Sequence, residues 1–405
     1  MPTRYGRSPW IDRFPKSRVP SYPRYHGAAA ADVAIVGGGL TGCIAAYAFR
    51  STGLKVVLLE AETIGGSSTG SAAGWISEDP GVPFVHVEKT LGLRAARHAF
   101  EAWRRSALDF IALLRRLDIK CSLEPRTAVT IAGAPEQASR LTREQKARKE
   151  AGLETPVLSA RAVHGELAVA STGIRSRDGA TLDPYRACLG LAAAASERGA
   201  IIFEHSPVQK ITFTRRIADV HTEGGSIRAS RVVIATGRPT ALFKSLARHF
   251  WLRTAYLALT EPVPARIRRQ LGTRASVLRD FADPPHIVRW MDDDRLLITG
   301  ADTDSPPDQR RDKMIVQRTG QLMYELSTVY PDISGILPDY GWHAEYAKTA
   351  EGLPYIGPHR NFPHHLFVFG DSSHSLTGAY LASRILLRHH SEEVAAADQV
   401  FAFTR

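Results

Sequence analysis

Asp32-Val-Ala-Ile-Val-Gly-Gly-Gly-Leu-Thr-Gly-Cys43 is the stretch on which the reading of this chain turns. The apolar run Val33 to Val36 has the character of a buried strand, and an alanine-rich helical pattern runs from Leu40 to about Arg50. Between them stand Gly37, Gly39 and Gly42, the G-x-G-x-x-G spacing in the strand-turn-helix setting that gives it meaning. Gly37 allows the tight turn, Gly39 lets the backbone at Leu40 and Thr41 approach a pyrophosphate, and Gly42 lets the helix pack close to the strand. The free N–H groups and positive dipole end of the helix then face the phosphates. A second apolar strand, Lys55 to Leu59, leads to Glu60 and Ala61, about twenty residues on, where an acidic side chain holds a ribose hydroxyl.

The chain has 405 residues, 44% hydrophobic and 23% charged, an ordinary globular composition with length for two interleaved domains. No apolar run approaches the ~20 residues of a membrane span. Residues 1–27 are rich in Arg, Pro, Tyr and Ser and lack the apolar segment of a signal peptide. The formal charge of +11 is scattered over the chain without a nucleic-acid-binding motif, so a solvated basic surface is expected, with no nucleic-acid partner. Cys43, Cys121 and Cys188 have no C-x-x-C spacing and read as reduced, buried thiols in a cytoplasmic protein. His364-His365 and His389-His390 are adjacent pairs that do not converge on one ion, so no metal is expected. There is neither a phosphate-binding G-x-x-x-x-G-K-S/T loop nor a G-x-S-x-G elbow.

Prolines 2, 9, 15, 20 and 23 make residues 1–31 an irregular arm, whose Trp10, Phe14, Tyr22 and Tyr25 rings hold it across the body of the protein. Ile64-Gly-Gly-Ser-Ser-Thr-Gly-Ser-Ala-Ala-Gly-Trp-Ile76 is neither strand-like nor helical, and reads as backbone laid against a ligand. From Phe84 to Leu117 one amphipathic helical pattern runs on, followed by a short strand, Ile119 to Leu123, and a polar helix, Glu136 to Ala151. Asp183-Pro184 caps a helix that Gly199 closes. Strand-like pieces follow at 201–204, 208–214, 217–222 and 227–229, and Arg231-Val-Val-Ile-Ala-Thr-Gly237 repeats the strand-into-glycine theme. Residues 251–301 suggest an antiparallel sheet, and 310–330 a helix. Leu366-Phe-Val-Phe-Gly370 enters Asp371-Ser-Ser-His-Ser-Leu-Thr-Gly378 and a last helix, about Ala379 to His389, whose N-terminus favours negative charge.

In this order the pieces resemble the superfamily of FAD-dependent oxidoreductases that contains D-amino-acid oxidase, glycine oxidase and sarcosine oxidase. The likeness runs from Asp32 to Arg405. It is carried by GGGLTG at 37–42, Glu60, the 64–76 loop, Asp183-Pro184, VVIATG at 232–237, Thr349-Ala-Glu-Gly-Leu-Pro-Tyr-Ile-Gly357 and GDSSHSLTG at 370–378. It implies an α/β fold: a Rossmann-like FAD-binding domain with an interleaved antiparallel-sheet (α+β) substrate domain. The expected division is an arm at 1–31, the FAD-binding domain at 32–118, 183–250 and 340–405, and the substrate domain at 119–182 and 251–339. The FAD phosphates would sit on Gly37 to Gly42, the ribose on Glu60 and Ala61, and the adenine near Val208 and the Ala235-Thr236-Gly237 turn. The flavin ring would lie between Ser68, Thr69, Gly74 and Trp75 on one side and Gly370, His374, Ser375, Leu376 and Thr377 on the other. The implied chemistry is hydride removal from the C–N bond of an amine or amino acid, with oxygen or a redox partner taking the electrons. Non-covalent FAD is expected, because the 64–76 loop has no His or Cys.

The chain departs from the family pattern in three places. Ser372-Ser373-His374-Ser375 replaces a glycine-rich flavin turn, with Ser373 and Ser375 where relatives carry glycine. His343-Ala-Glu-Tyr-Ala-Lys348 stands where glycine oxidases carry a carboxylate-binding arginine, and Leu296 to Gly300 lacks the oxygen-activating lysine of sarcosine oxidases. Candidate substrate residues are Arg289, as a carboxylate anchor or a solvent-facing strand residue, and His374, toward the flavin or structural. Tyr256 and Tyr346 could form an aromatic cage or belong to the core, and Lys348 could face the site or pair with Glu345. Two further readings stay open: oxidation of a 2-hydroxy acid on the same fold, and a flavoprotein subunit without catalysis of its own.

Overall fold

Val33 to Val36 are all buried and paired on both sides, as an uninterrupted apolar run requires. In the computed structural model, which describes residues 2–214, 217–370 and 376–405, their strand is Gly27–Val36. It lies parallel to Val56–Leu59 on one side and to Gly225–Gly237 on the other. Ile201–Phe203 extends the sheet past the first neighbour and Phe362–Phe369 past the second, both in parallel, and Tyr355–His359 adds an antiparallel edge. The helices Leu40–Arg50, Pro184–Glu197 and Thr377–His390 cover one face, sharing a core with Val33 and Ile35. Asp183 caps its helix as expected, accepting from the Arg186 amide at 3.0 Å.

The second sheet runs Arg4–Tyr5, Pro338–Lys348, Trp251–Thr260, Leu296–Asp304, Ile287–Trp290, Ser276–Asp280, Glu124–Ile131, Gly173–Thr181 and Trp75–Ile76. It is antiparallel except where Arg4–Tyr5 meets Pro338–Lys348 and where Ser276–Asp280 meets Glu124–Ile131. Alternate side chains divide between its faces. Tyr256, Ala258, Leu296 and Ile298 pack with Ile315, Leu322 and Leu326 of the helix Asp308–Val329, while Leu257, Leu259 and Leu297 join the core under the first sheet. Both faces are therefore buried, and the two sheets share one interface.

Several expectations change. The arm is not irregular throughout: Arg4–Tyr5 is a strand, Pro9–Asp12 is a helical turn capped by Ser8, and residues from Gly27 on extend the first strand. Proline blocks only the donor it removes, and Pro9 sits in the first turn, where none is needed. No strand forms at 119–123, because Asp118 and Ser122 take positive φ values of 51° and 49°; the strand begins at Glu124. The long helix divides into Phe84–Leu91 and Leu93–Arg116 at Gly92, with φ 85°. The pieces at 227–229 and 231–237 are one strand, Gly225–Gly237. Residues 75–76 and 340–348, expected in the cofactor domain, pair within the second sheet.

A buried ionic network ties the helix Pro135–Glu150 to the second sheet. Glu144 accepts from the Phe84 and Val85 amides and from Arg148, which also reaches Asp79 at 3.3 Å; Arg279 approaches Asp79 at 3.4 Å. Burial alone would raise the Asp79 carboxyl, but Arg148 and Arg279 bring it below its ordinary 3.8. Its contribution to stability is complete above that value and is lost as pH falls through the lower folded value. Asp79→Asn should cost about 3 kcal/mol in urea unfolding at neutral pH. It should also flatten the acid limb of the stability curve.

Candidate functional site

At the C-terminal ends of the parallel strands two cavities, of about 440 and 200 Å³, share Leu40, Thr41, Ser68, Thr69, Thr236 and Gly237 on their linings. They form one bent cleft. Its narrow arm is built by the glycine turn. Gly37 has φ 110°, and a Cβ there would lie 2.7 Å from the Ala235 carbonyl oxygen. A Cβ on Gly42 would run into the Gly37 carbonyl oxygen, so the helix can start this close to the strand only with glycine at 42. Glu60 lines the same arm, its carboxylate accepting from the Gly38 amide at 2.5 Å and the Glu62 amide at 2.9 Å. Thr69 Oγ1 accepts from the Leu40 amide at 2.9 Å, which joins the glycine-rich loop to the helix start.

That loop is held from behind. Trp10 Nε1 donates to the Ala72 carbonyl and Trp342 Nε1 to the Ser71 carbonyl, both at 2.9 Å, and Ser8 Oγ donates to the Gly70 carbonyl. Three consecutive carbonyls are thus taken by donors from the N-terminal arm and the second sheet. Buried Glu204 fastens the loop's start, accepting from the Ile64 amide at 2.7 Å and the Tyr22 amide at 3.0 Å.

The wide arm is walled by the strand Pro338–Lys348 through His343, Glu345 and Tyr346. Glu345 is gripped by Arg238 at 2.7 Å and Arg311 at 3.4 Å, and Tyr346 donates to Asp302 at 2.6 Å. His343 Nδ1 is buried with no partner among the described residues. Burial, helped by the Arg311 charge, pushes the imidazole below its ordinary 6.5, so it is neutral at pH 7.

Comparison with known proteins bears on what this cleft holds. The sequence profile of the DAO family, described as FAD dependent oxidoreductase, matches residues 32–388. The chain belongs to this family of FAD-dependent oxidoreductases. Curated relatives include a probable oxidoreductase OrdL of Haemophilus influenzae, 24% identical, and the gamma-glutamylputrescine oxidoreductase of Escherichia coli, 25% identical; in each case 88% of this chain and 82% of the relative are covered. Among solved structures, glycine oxidase from Geobacillus kaustophilus superposes with a TM-score of 0.75 at 20% identity, over 93% of this chain and 99% of that one.

The cleft suits the family's FAD. Its narrow arm offers the first amides of the helix Leu40–Arg50, which have no intrahelical acceptor, and its wide arm is roomy and flat-walled at Ala344 and Ala347. Gly37, Gly39, Glu60, Ala61, Val208 and Ala235 line the narrow arm, and Gly370 and Leu376 the wide one. Gly42 sits behind the turn. Gly74 and Trp75 lie outside both linings: Gly74 backs onto Arg289, and Trp75 is paired in the second sheet. Thr377 donates to the Ser77 carbonyl at 2.8 Å. His374 and Ser375, like Ser373, fall outside the described residues.

Of the substrate candidates among the described residues, only Tyr346 lines the cleft. Tyr256 is in the core against the helix Asp308–Val329, because its odd-even position on the strand points it to that face. Lys348 pairs with Asp283 at 3.5 Å rather than with Glu345. Arg289 lines a separate cavity beneath the N-terminal arm, buried rather than solvent-facing. The sequence reading passed over Arg238, Arg311 and His343, whose convergence no local pattern signals, and Ser8 and Trp10, for which an apolar ring in a proline-rich arm was the one available sign. Trp10→Phe keeps the ring and deletes the donor to Ala72. A loss of about 1 kcal/mol, or roughly fivefold in FAD affinity, is expected in titration of the flavin-stripped protein.

Proposed function

We propose that this protein oxidises the C–N bond of a small amine or amino acid, the hydride passing to non-covalently held FAD. The observation that carries the reading is the wide arm of the cleft, where His343 and the Arg238–Glu345–Arg311 group meet beside the flavin-sized space. When bound, FAD supplies the two-electron acceptor. The rest falls to the chain. An amine must shed its ammonium proton before its C–H bond can yield hydride, and His343, which lines the wide arm and is neutral at pH 7, is the base we assign to it. Arg238 and Arg311 line this wall, paired with Glu345 and, for Arg311, also with Asp308 at 2.6 Å, and their remaining N–H groups suit a substrate that carries a carboxylate. Tyr346, steadied by Asp302, gives the pocket a rigid aromatic side. Support also comes from the named activities of relatives, a glutamylated polyamine for one and glycine for others. Oxygen or a redox partner would take the electrons; the strand Leu296–Asp304 brings no lysine to the cleft.

Anaerobic titration of the purified protein with a panel of amines, amino acids and 2-hydroxy acids tests the reading. Bleaching of the flavin absorbance by an amine or amino acid is expected; bleaching by hydroxy acids alone would overturn it. Acid precipitation should leave the flavin in the supernatant. His343→Gln should lower the rate of flavin reduction about 100-fold at neutral pH. It should also remove a pH limb that rises through a value below 6.5.

A further inference from the structure

Beneath the N-terminal arm lies a cavity of about 170 Å³ that shares no lining residue with the cleft among the described residues. Three arginines and three aspartates line it. Four of the six are spoken for: Arg13 pairs with Asp293 at 2.8 Å, and Arg186 with Asp183 at 3.3 Å. Neither Arg289 nor Asp292 has an ion-pair partner within 4.0 Å among the described residues, and Asp292 shares a side-chain hydrogen bond with Glu124.

Arg289 is 4% exposed. Its guanidinium rests against Gly74, donates from Nη2 to the Leu182 carbonyl at 3.2 Å, and lies 5.2 Å from the Trp10 ring centroid. Nε is buried with no acceptor among the described residues. Burial lowers its pKa from 12.5 to about 10, which leaves it cationic at neutral pH. A buried cation with donors left over is costly unless an anion completes it, and a planar guanidinium matches a carboxylate through two parallel hydrogen bonds. Asp292, by contrast, is exposed, at the rim. The charges of the lining balance, so a simple anion would meet three carboxylates on entry, whereas a neutral zwitterion would not.

We propose that this cavity is a second small-molecule site that binds a free α-amino acid, its carboxylate on Arg289, its ammonium toward Asp292 and its side chain against Trp10 and Phe14. The proposal is independent of the oxidation proposed above. It concerns binding under the arm, whatever the cleft turns over.

The FAD-loaded, full-length protein is titrated with L-leucine, isovalerate and isopentylamine under anaerobic conditions. Tryptophan fluorescence reports the cavity, since Trp10 and Trp290 line it, and flavin absorbance reports entry into the cleft. Leucine should give a saturable fluorescence change, isovalerate should bind about tenfold more weakly, and isopentylamine should give none. Arg289→Met should weaken leucine and isovalerate alike by about 30-fold without altering the flavin spectrum. Asp292→Asn, a surface change that tests the idea even if Arg289→Met fails to fold, should reduce leucine to the level of isovalerate and leave isovalerate unaffected. No response to leucine at millimolar concentration overturns the proposal. So does wild-type leucine binding by Arg289→Met or by Asp292→Asn.

Discussion

Everything in the cofactor cleft depends on how closely the helix Leu40–Arg50 begins against the strand Gly27–Val36. Backbone occupies the places where side chains at 37 and 42 would stand: the Ala235 carbonyl crowds the first and the Gly37 carbonyl the second. That closeness delivers the first amides of the helix to the end of the sheet, where an anion can use them. Thr69 meets the Leu40 amide there, and Glu60 the Gly38 amide, so the turn, the loop and the second strand meet within one hydrogen-bonded junction.

The glycine-rich loop raises the opposite problem, because a segment this rich in small residues has little packing of its own to hold it. The fold supplies the missing rigidity from outside. Donors from Ser8, Trp10 and Trp342 occupy consecutive carbonyls, and Glu204 ties the loop's beginning to the arm. The arm is thus a structural part of the cofactor site, although it precedes the nucleotide motif and touches neither arm of the cleft. It also roofs the Arg289 cavity.

The second sheet serves two cores at once. Its alternation sends Tyr256 and Ala258 to the helix Asp308–Val329 and Leu257 and Leu259 to the first sheet. Polar side chains caught between the layers must find partners there, as Asp79, Glu144, Arg148 and Arg279 do, or remain poised, as Arg289 does. The placement of a polar residue is therefore decided by which layer its strand position faces, and a shift of one residue exchanges core for interface.

The nucleotide half of the molecule was legible from residue order because its signals are local. Strand, glycine turn, helix, strand and acid each need only their neighbours, and the capped helix at Asp183-Pro184 is of the same kind. The wide arm of the cleft was not, since Arg238 follows the strand Gly225–Gly237, Arg311 lies on the helix Asp308–Val329 and His343 on the strand Pro338–Lys348, and they meet only when the second sheet closes over the first. Even within a strand, the pattern identified Tyr256 and Arg289 as notable without saying which face each would take. The sequence by itself determined where the strand, the tight turn and the helix start of the first sheet lie, because that junction is backbone geometry that glycine spacing writes directly. Only the tertiary structure decided which charged side chains look into the cleft, which are spent on one another and which is left waiting under the arm, because those outcomes depend on the register and facing of strands far apart in the chain.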